Sequence, residues 1–343
     1  MKTLQKLKPG DKVAIVSPSF PAPAVWPQVY EHGLETIRTV FALEPVPFPA
    51  TAKLDATVEE KAADLVAAFS DPEIKAVIST IGGDIQVTYI KHLPSSPFVE
   101  NPKPFFGYSD NTHFMNWLFL HDIPSYYGGA LFTQFAHQPE MNPYTVEYLK
   151  HALFESGSIE LRPSQSFNDL GLDWADPENL TKERQYEPNE GYVWDGSGTR
   201  EGQLWGGCVE SIDELLRHDV AIPTLTQFTD IVLMLETSEE IPTAGYVRRV
   251  LRALGERGVL ERIQGVVVGR AKAREFDLLR TPAERSDYRH EQQRTIIQTV
   301  RAYNEHIPIV QNLDFGHTEP QIPMPYGGHI VIDATNHTIT ATF

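Results

Sequence analysis

The chain has 343 residues, of which 41% are apolar and 22% charged, too many for one ordinary hydrophobic core, so two globular domains are expected. A formal charge of −17 argues against nucleic acid as a partner, because phosphates call for a basic surface. The single cysteine, Cys208, rules out an internal disulfide and fits a reducing compartment.

The basic start, residues 1–10, leads into an apolar segment that Pro18, Pro21 and Pro23 interrupt. That is not a signal-peptide core, and no run of about 18 uncharged apolar residues could span a membrane. A cytoplasmic location is expected. Residues 12–17 predict a strand that stops at Ser17-Pro18-Ser19. Val29, Leu34, Ile37 and Val40 fall at helical spacing over 26–41. Residues 59–69 predict a second helix, with Leu65 and Val66 inward and Glu59, Glu60, Lys61 and Asp64 outward. A buried strand over 76–81 ends at Gly82-Gly83, and another over 104–108 runs into a short helix over 113–120. Strands and helices alternating at this pitch imply a parallel sheet covered on both faces.

Residues 155–200 are dense in Gly, Pro, Asn and Asp, interleaved with Trp174, Tyr186, Tyr192 and Trp194. Such a segment reads as a linker or functional loop. The expected organisation is an α/β domain over 1–160, a linker and possible substrate lid over 161–200, and a β-rich domain over 201–343. The last region predicts strands at 231–235, 265–269, 329–332 and 338–342, and helices at 244–254 and 289–303.

Gly107-Tyr108-Ser109-Asp110-Asn111 stands where a strand turns into a helix, the place where open α/β sheets hold their ligands. A serine on such a turn is pushed outward as a nucleophile, although Asn111 replaces the glycine of G-x-S-x-G. The alternative is that Ser109 or Asp110 merely caps the helix. Ile81-Gly82-Gly83-Asp84 also follows a strand. Its glycines allow close backbone approach, as an oxyanion hole needs, or simply end the strand. A hydroxyl nucleophile requires a base and an orienting acid. His317, after a glycine in a Pro- and Gly-rich stretch, and Glu236, closing a strand, are candidates. Surface roles for both stay open. There is no zinc signature and no phosphate loop, so neither metal nor cofactor is expected. Cys208 reads as a small buried residue rather than a nucleophile.

In chain order, Leu7-Lys8-Pro9-Gly10-Asp11, Val16-Ser17-Pro18-Ser19, Ile81-Gly82-Gly83-Asp84, Gly107-Tyr108-Ser109-Asp110, Glu201-Gly202 with Gly206-Gly207, Leu233-Met234-Leu235-Glu236 and Phe315-Gly316-His317 resemble the LD-carboxypeptidase family of serine peptidases, which includes the microcin C self-immunity peptidases. The resemblance implies a flavodoxin-like N-terminal domain, a smaller β-rich C-terminal domain, and a homodimer. It implies Ser109 as nucleophile, His317 as base, Glu236 as orienting acid, and backbone N–H groups of Gly83 and Asp110 as the oxyanion hole. Substrates would be the L,D-bond of cell-wall tetrapeptides or peptidyl or aminoacyl nucleotides. Ile81 in place of arginine favours the microcin-immunity branch, and Cys208 stands where asparagine is common. Asp84, Trp174, Trp194 and Arg248 are candidates for substrate contact. The rival readings are an α/β serine esterase and a non-catalytic peptide- or nucleotide-binding protein.

Overall fold

The computed structural model describes residues 1–343. Short apolar runs closed by serine, glycine or proline form its first sheet: β1 (Lys12–Val16), β2 (Glu44–Pro47), β3 (Ile74–Ser79), β4 (Phe105–Gly107) and β5 (Ser125–Tyr127). These strands are parallel, in the order β2-β1-β3-β4-β5, which is the flavodoxin-like arrangement. Val13, Ala14, Ile15 and Val16 are all buried, as befits a strand covered on both faces. Flanking helices include Pro27–Phe41, Val58–Ser70 and Thr112–Leu120.

Further along lie β6 (Ser158–Glu160), β7 (Ser166–Phe167), β8 (Glu187–Pro188), β9 (Val193–Asp195), β10 (Thr199–Cys208), β11 (Ile231–Glu236), β12 (Gly265–Gly269) and β13 (Ile309–Leu313). The chain closes with β14 (Met324–Tyr326), β15 (His329–Asp333) and β16 (Thr338–Thr342). The second sheet runs β6-β16-β15-β10-β11-β12-β13-β9, with β10 to β13 parallel and the outer strands antiparallel. β14 leaves that sheet and pairs antiparallel with β5, extending the first. Both catalytic-candidate turns, after β4 and after β11, sit at carboxyl ends of parallel strands.

The structure corrects several expectations. β6 lies within the expected first domain yet pairs with β16, and β9 lies within the expected linker yet closes the second sheet against β13. The segment between them is pinned by charge rather than free. Arg274 reaches Asp169 at 2.6 Å and Arg289 bonds the same carboxylate. Ser164 Oγ donates to Asp314 at 2.7 Å, where the buried Arg270 also binds at 2.7 Å. Lys61 and Asp64 point inward, because Asp64 accepts from the N–H of Ala50 at 2.7 Å and Lys61 donates to the carbonyl of Ala56 at 3.1 Å. The helix expected at 289–303 begins earlier, at Pro282. Thr281 and Glu284 form a capping box there.

Candidate active site

Ser109 occupies the left-handed region, at φ 64°, directly after an extended Tyr108. A non-glycine residue adopts that conformation only when its surroundings hold it. Asn111 supplies much of the hold. Its side-chain amide donates to the carbonyls of Tyr108 at 2.9 Å and Ile81 at 3.3 Å, and its oxygen accepts from Gln86 at 2.9 Å. The Asp110 carboxylate accepts from the N–H groups of Ile85 at 3.1 Å and Gln86 at 3.2 Å. Neither Ser109 nor Asp110 caps the helix that follows. The two side chains after the serine instead lash the turn to the loop after β3.

That loop approaches closely. A Cβ on Gly82 would lie 2.8 Å from Ser109 Cβ, 3.0 Å from Ser109 Oγ and 3.3 Å from the backbone nitrogen of Asp110. One on Gly83, at φ 147°, would strike Ser19 Oγ at 2.1 Å. Paired glycines are therefore required here by space, and they leave the serine turn open to a ligand.

Glu236 ends β11 fully buried. One carboxylate oxygen accepts from His317 Nδ1 at 2.7 Å, the other from the hydroxyl of Tyr127 at 2.6 Å. Tyr127 in turn accepts from the N–H of Ser109 at 3.3 Å, so a tyrosine on β5 joins the acid to the serine turn. Gly316, at φ 94°, must be glycine, since a Cβ would lie 2.5 Å from a Glu236 oxygen. The His317 ring meets the edge of Tyr108, with centroids 4.9 Å apart.

The expected hydrogen bond from Ser109 to His317 is not formed. His317 Nε2 instead faces Glu239 at 3.0 Å, because a carboxylate attracts an imidazole N–H more strongly than a neutral hydroxyl does. Burial alone would lower the ring, but the Glu236 and Glu239 carboxylates outweigh it and hold His317 well above its ordinary value. Crowding by the cavity wall would raise Glu239, yet the positive ring beside it holds that carboxyl down to about 2. Burial, reinforced by Glu210 and Glu236, pushes the Cys208 thiol well up. Its Sγ donates to Glu210 at 3.1 Å, so it remains an inert thiol.

Ser109, His317, Glu239 and the paired glycines line a cavity of about 490 Å³. Phe20, Trp26 and Trp174 form an aromatic wall, with Trp26 and Trp174 centroids 5.2 Å apart. Three candidates for substrate contact lie outside the lining. Asp84 is exposed beside the lining Gly83, and Arg248 is exposed on the Ala244–Glu256 helix. Trp194 stacks on His337 at 4.9 Å, anchored by its place in β9. Two site residues escaped the sequence reading, Tyr127 and Glu239. The tyrosine carried no spacing signal beside Tyr126, while Glu239 looked like any acid in a polar turn.

Residues 13–128 match the model of the LD-carboxypeptidase N-terminal domain, and residues 201–332 that of the C-terminal domain. The microcin C7 self-immunity protein MccF of Escherichia coli is 25% identical over 341 residues, covering 97% of this chain and 93% of that protein. A MccF-like protein from Streptococcus pneumoniae, solved with AMP, is 27% identical with a TM-score of 0.84, covering 97% of this chain and 98% of that one. MccF in complex with aspartyl sulfamoyl adenosine shares the fold at a TM-score of 0.85 and 22% identity, covering 99% of this chain and 98% of that one. With both halves of the chain matched in order, it belongs to the LD-carboxypeptidase family of peptidases.

Proposed function

We propose that this protein is a serine hydrolase that cleaves an amide bond in a peptidyl or aminoacyl nucleotide. Ser109 Oγ attacks the carbonyl while His317, oriented by Glu236, takes its proton. The N–H groups of Asp110 and Gly83 hold the developing oxyanion. His317 then protonates the departing amine, and water releases the acyl group.

The observation that carries this reading is the chain of contacts from Ser109 N–H to Tyr127 to Glu236 to His317, beside a serine held in a strained turn. The nucleotide end is supported by the wall of Phe20, Trp26 and Trp174 in the same cavity, since every nucleobase has a face that stacks, and by the AMP bound in the pneumococcal relative. A second reading, hydrolysis of the L,D-bond in cell-wall tetrapeptides, is favoured by the family's name alone. It would need a cation for the terminal carboxylate. The cavity's arginine and lysine are already engaged, Arg184 by Glu319 at 2.7 Å and Lys272 by Glu275 at 2.6 Å.

Mass spectrometry of products from both substrate types tests the proposal. Nucleotide cleavage that falls about a millionfold in Ser109→Ala is expected for a triad nucleophile. Unchanged turnover in that variant would remove the reading. A homodimer belongs to the same proposal and is read by light scattering.

A further inference from the structure

The resting geometry poses a chemical problem for the base. His317 Nδ1 donates to Glu236 at 2.7 Å, and Nε2 lies 3.0 Å from a Glu239 oxygen. A carboxylate can only accept, so both ring nitrogens carry protons. An imidazolium with Nε2–H committed to Glu239 cannot take the proton of Ser109. Something must draw Glu239 away before the chemistry begins.

The two carboxylates differ in freedom. Glu236 is fully buried and fixed by Tyr127, whereas the Glu239 side chain is 55% exposed. The backbone under Glu239 is rigid. Ser238 N–H and Oγ donate to Glu210 at 3.1 and 2.7 Å, and Glu240 N–H donates to Ser238 Oγ at 3.2 Å. Only the side chain is free to swing. The other titratable groups facing this pair are Tyr108, against the ring, and Lys272, whose ammonium is taken by Glu275. With Lys272 held by Glu275, His317 is the cation bonded to Glu239, and a competing cation is needed to draw that carboxylate away.

A substrate could supply one. The α-nitrogen of an acyl residue is two bonds, about 2.5 Å, from the carbonyl carbon under attack. An acyl residue seated on Ser109 thus brings an α-ammonium, or a basic side chain, into the space between Ser109 and Glu239. Resting on the hydrolase reading above, we propose that Glu239 is a specificity-determining residue that binds an ammonium group on the acyl residue and, in doing so, gives up His317, whose Nε2 proton then passes to water in the open cavity and leaves a lone pair for the Ser109 proton. Cation recognition and activation of the base are then one event, and an uncharged acyl residue finds the base locked.

The test uses lysyl-, norleucyl- and N-acetylnorleucyl-sulfamoyl adenosine, whose acyl–nitrogen bond Ser109 could itself cleave, so they are titrated calorimetrically into Ser109→Ala and Ser109→Ala/Glu239→Gln. The α-ammonium is isolated by the second against the third, the side-chain ammonium by the first against the second. Ser109→Ala is expected to bind at least one ammonium-bearing ligand about tenfold more tightly than its uncharged match. Adding Glu239→Gln to that background should bring the ratio near one. An unchanged ratio in the variant, or no binding of any of the three ligands, overturns the proposal. In parallel, ring-nitrogen NMR of His317 is followed against pH without ligand. Removing a carboxylate partner lowers the imidazole, so its titration should move to lower pH by about one unit in the variant. A His317 titration unmoved by the substitution also overturns it. Both readouts are independent of turnover. Loss of the hydrolase reading would show separately, as cleavage that survives Ser109→Ala.

Discussion

Two histidines of this protein are each clasped by two carboxylates, and they sit in adjoining parts of the molecule. His113 Nδ1 lies 2.9 Å from Asp110 and its Nε2 3.1 Å from Glu214. His317 lies 2.7 Å from Glu236 and 3.0 Å from Glu239. His113 is sealed within the packing of the Thr112–Leu120 helix against the Val209–His218 helix, so its charge braces the first sheet's helix to the second sheet's. The ligand atoms of Asp110, His113 and Glu214 lie within 4.8 Å of one another, a spacing the ion pairs themselves explain. Each trio has one acid that reaches solvent, Glu214 and Glu239, but only the His317 ring faces a cavity. The same three groups make a brace where the ring is sealed in the packing and a proposed reactive centre where the ring meets a cavity.

Substituting each ring by glutamine should separate these roles most sharply. On the proposed mechanism His317→Gln removes the base, and turnover is expected to fall by about a millionfold, as on loss of a triad member. His113→Gln leaves the buried Asp110 without its cation and should lower denaturant stability by about 3 kcal/mol. Its activity would track the folded fraction. Equal activity losses in the two variants would dissolve the distinction.

A smaller effect is expected at Tyr127→Phe, which takes one charged hydrogen bond from Glu236. At about 1.5 to 3 kcal/mol for such a bond, kcat should fall roughly ten- to a hundredfold, with KM little changed. Trp174→Ala should weaken AMP about tenfold, the scale of one lost base stack, as measured by calorimetry.

The smallest difference lies in pH. Burial opposes the charge of His113, but its hydrogen bonds to Asp110 and Glu214 raise it to about 9. A group raised in the folded state stabilises fully below its unfolded value, near 6.5, and that contribution is lost as pH climbs through about 9. The urea midpoint of wild type should therefore decline between pH 7 and 9.5, more steeply than that of His113→Gln.

What could be read from the residue order follows from where space is the constraint. Gly82, Gly83 and Gly316 were legible because a neighbour occupies the volume a side chain would need, and the histidine and serine beside them were legible with them. The strands expected at 231–235 and 265–269 announced themselves through continuous apolar runs. β13 did not, because Gln311 and Asn312 interrupt it. Asn312 serves there as a polar link, donating to the carbonyl of Gly191 at 2.7 Å. Trp194 was misplaced for a related reason. Aromatic density in a loop does not say which surface each ring covers, and only the pairing of β9 with β13 fixes that ring over His337. Glu239 was hidden because a polar turn gives no sign of which acid meets the histidine at the cavity.

The exchange of β14 across to β5 has a consequence for dissection of the protein. Cutting the chain near residue 200 would leave the amino-terminal piece with β5 as a bare, hydrogen-bond-hungry border, the kind of edge that recruits other chains. Such a fragment is expected to precipitate or self-associate, and co-expression with the remaining piece should restore it. The two halves are interlaced, not strung together.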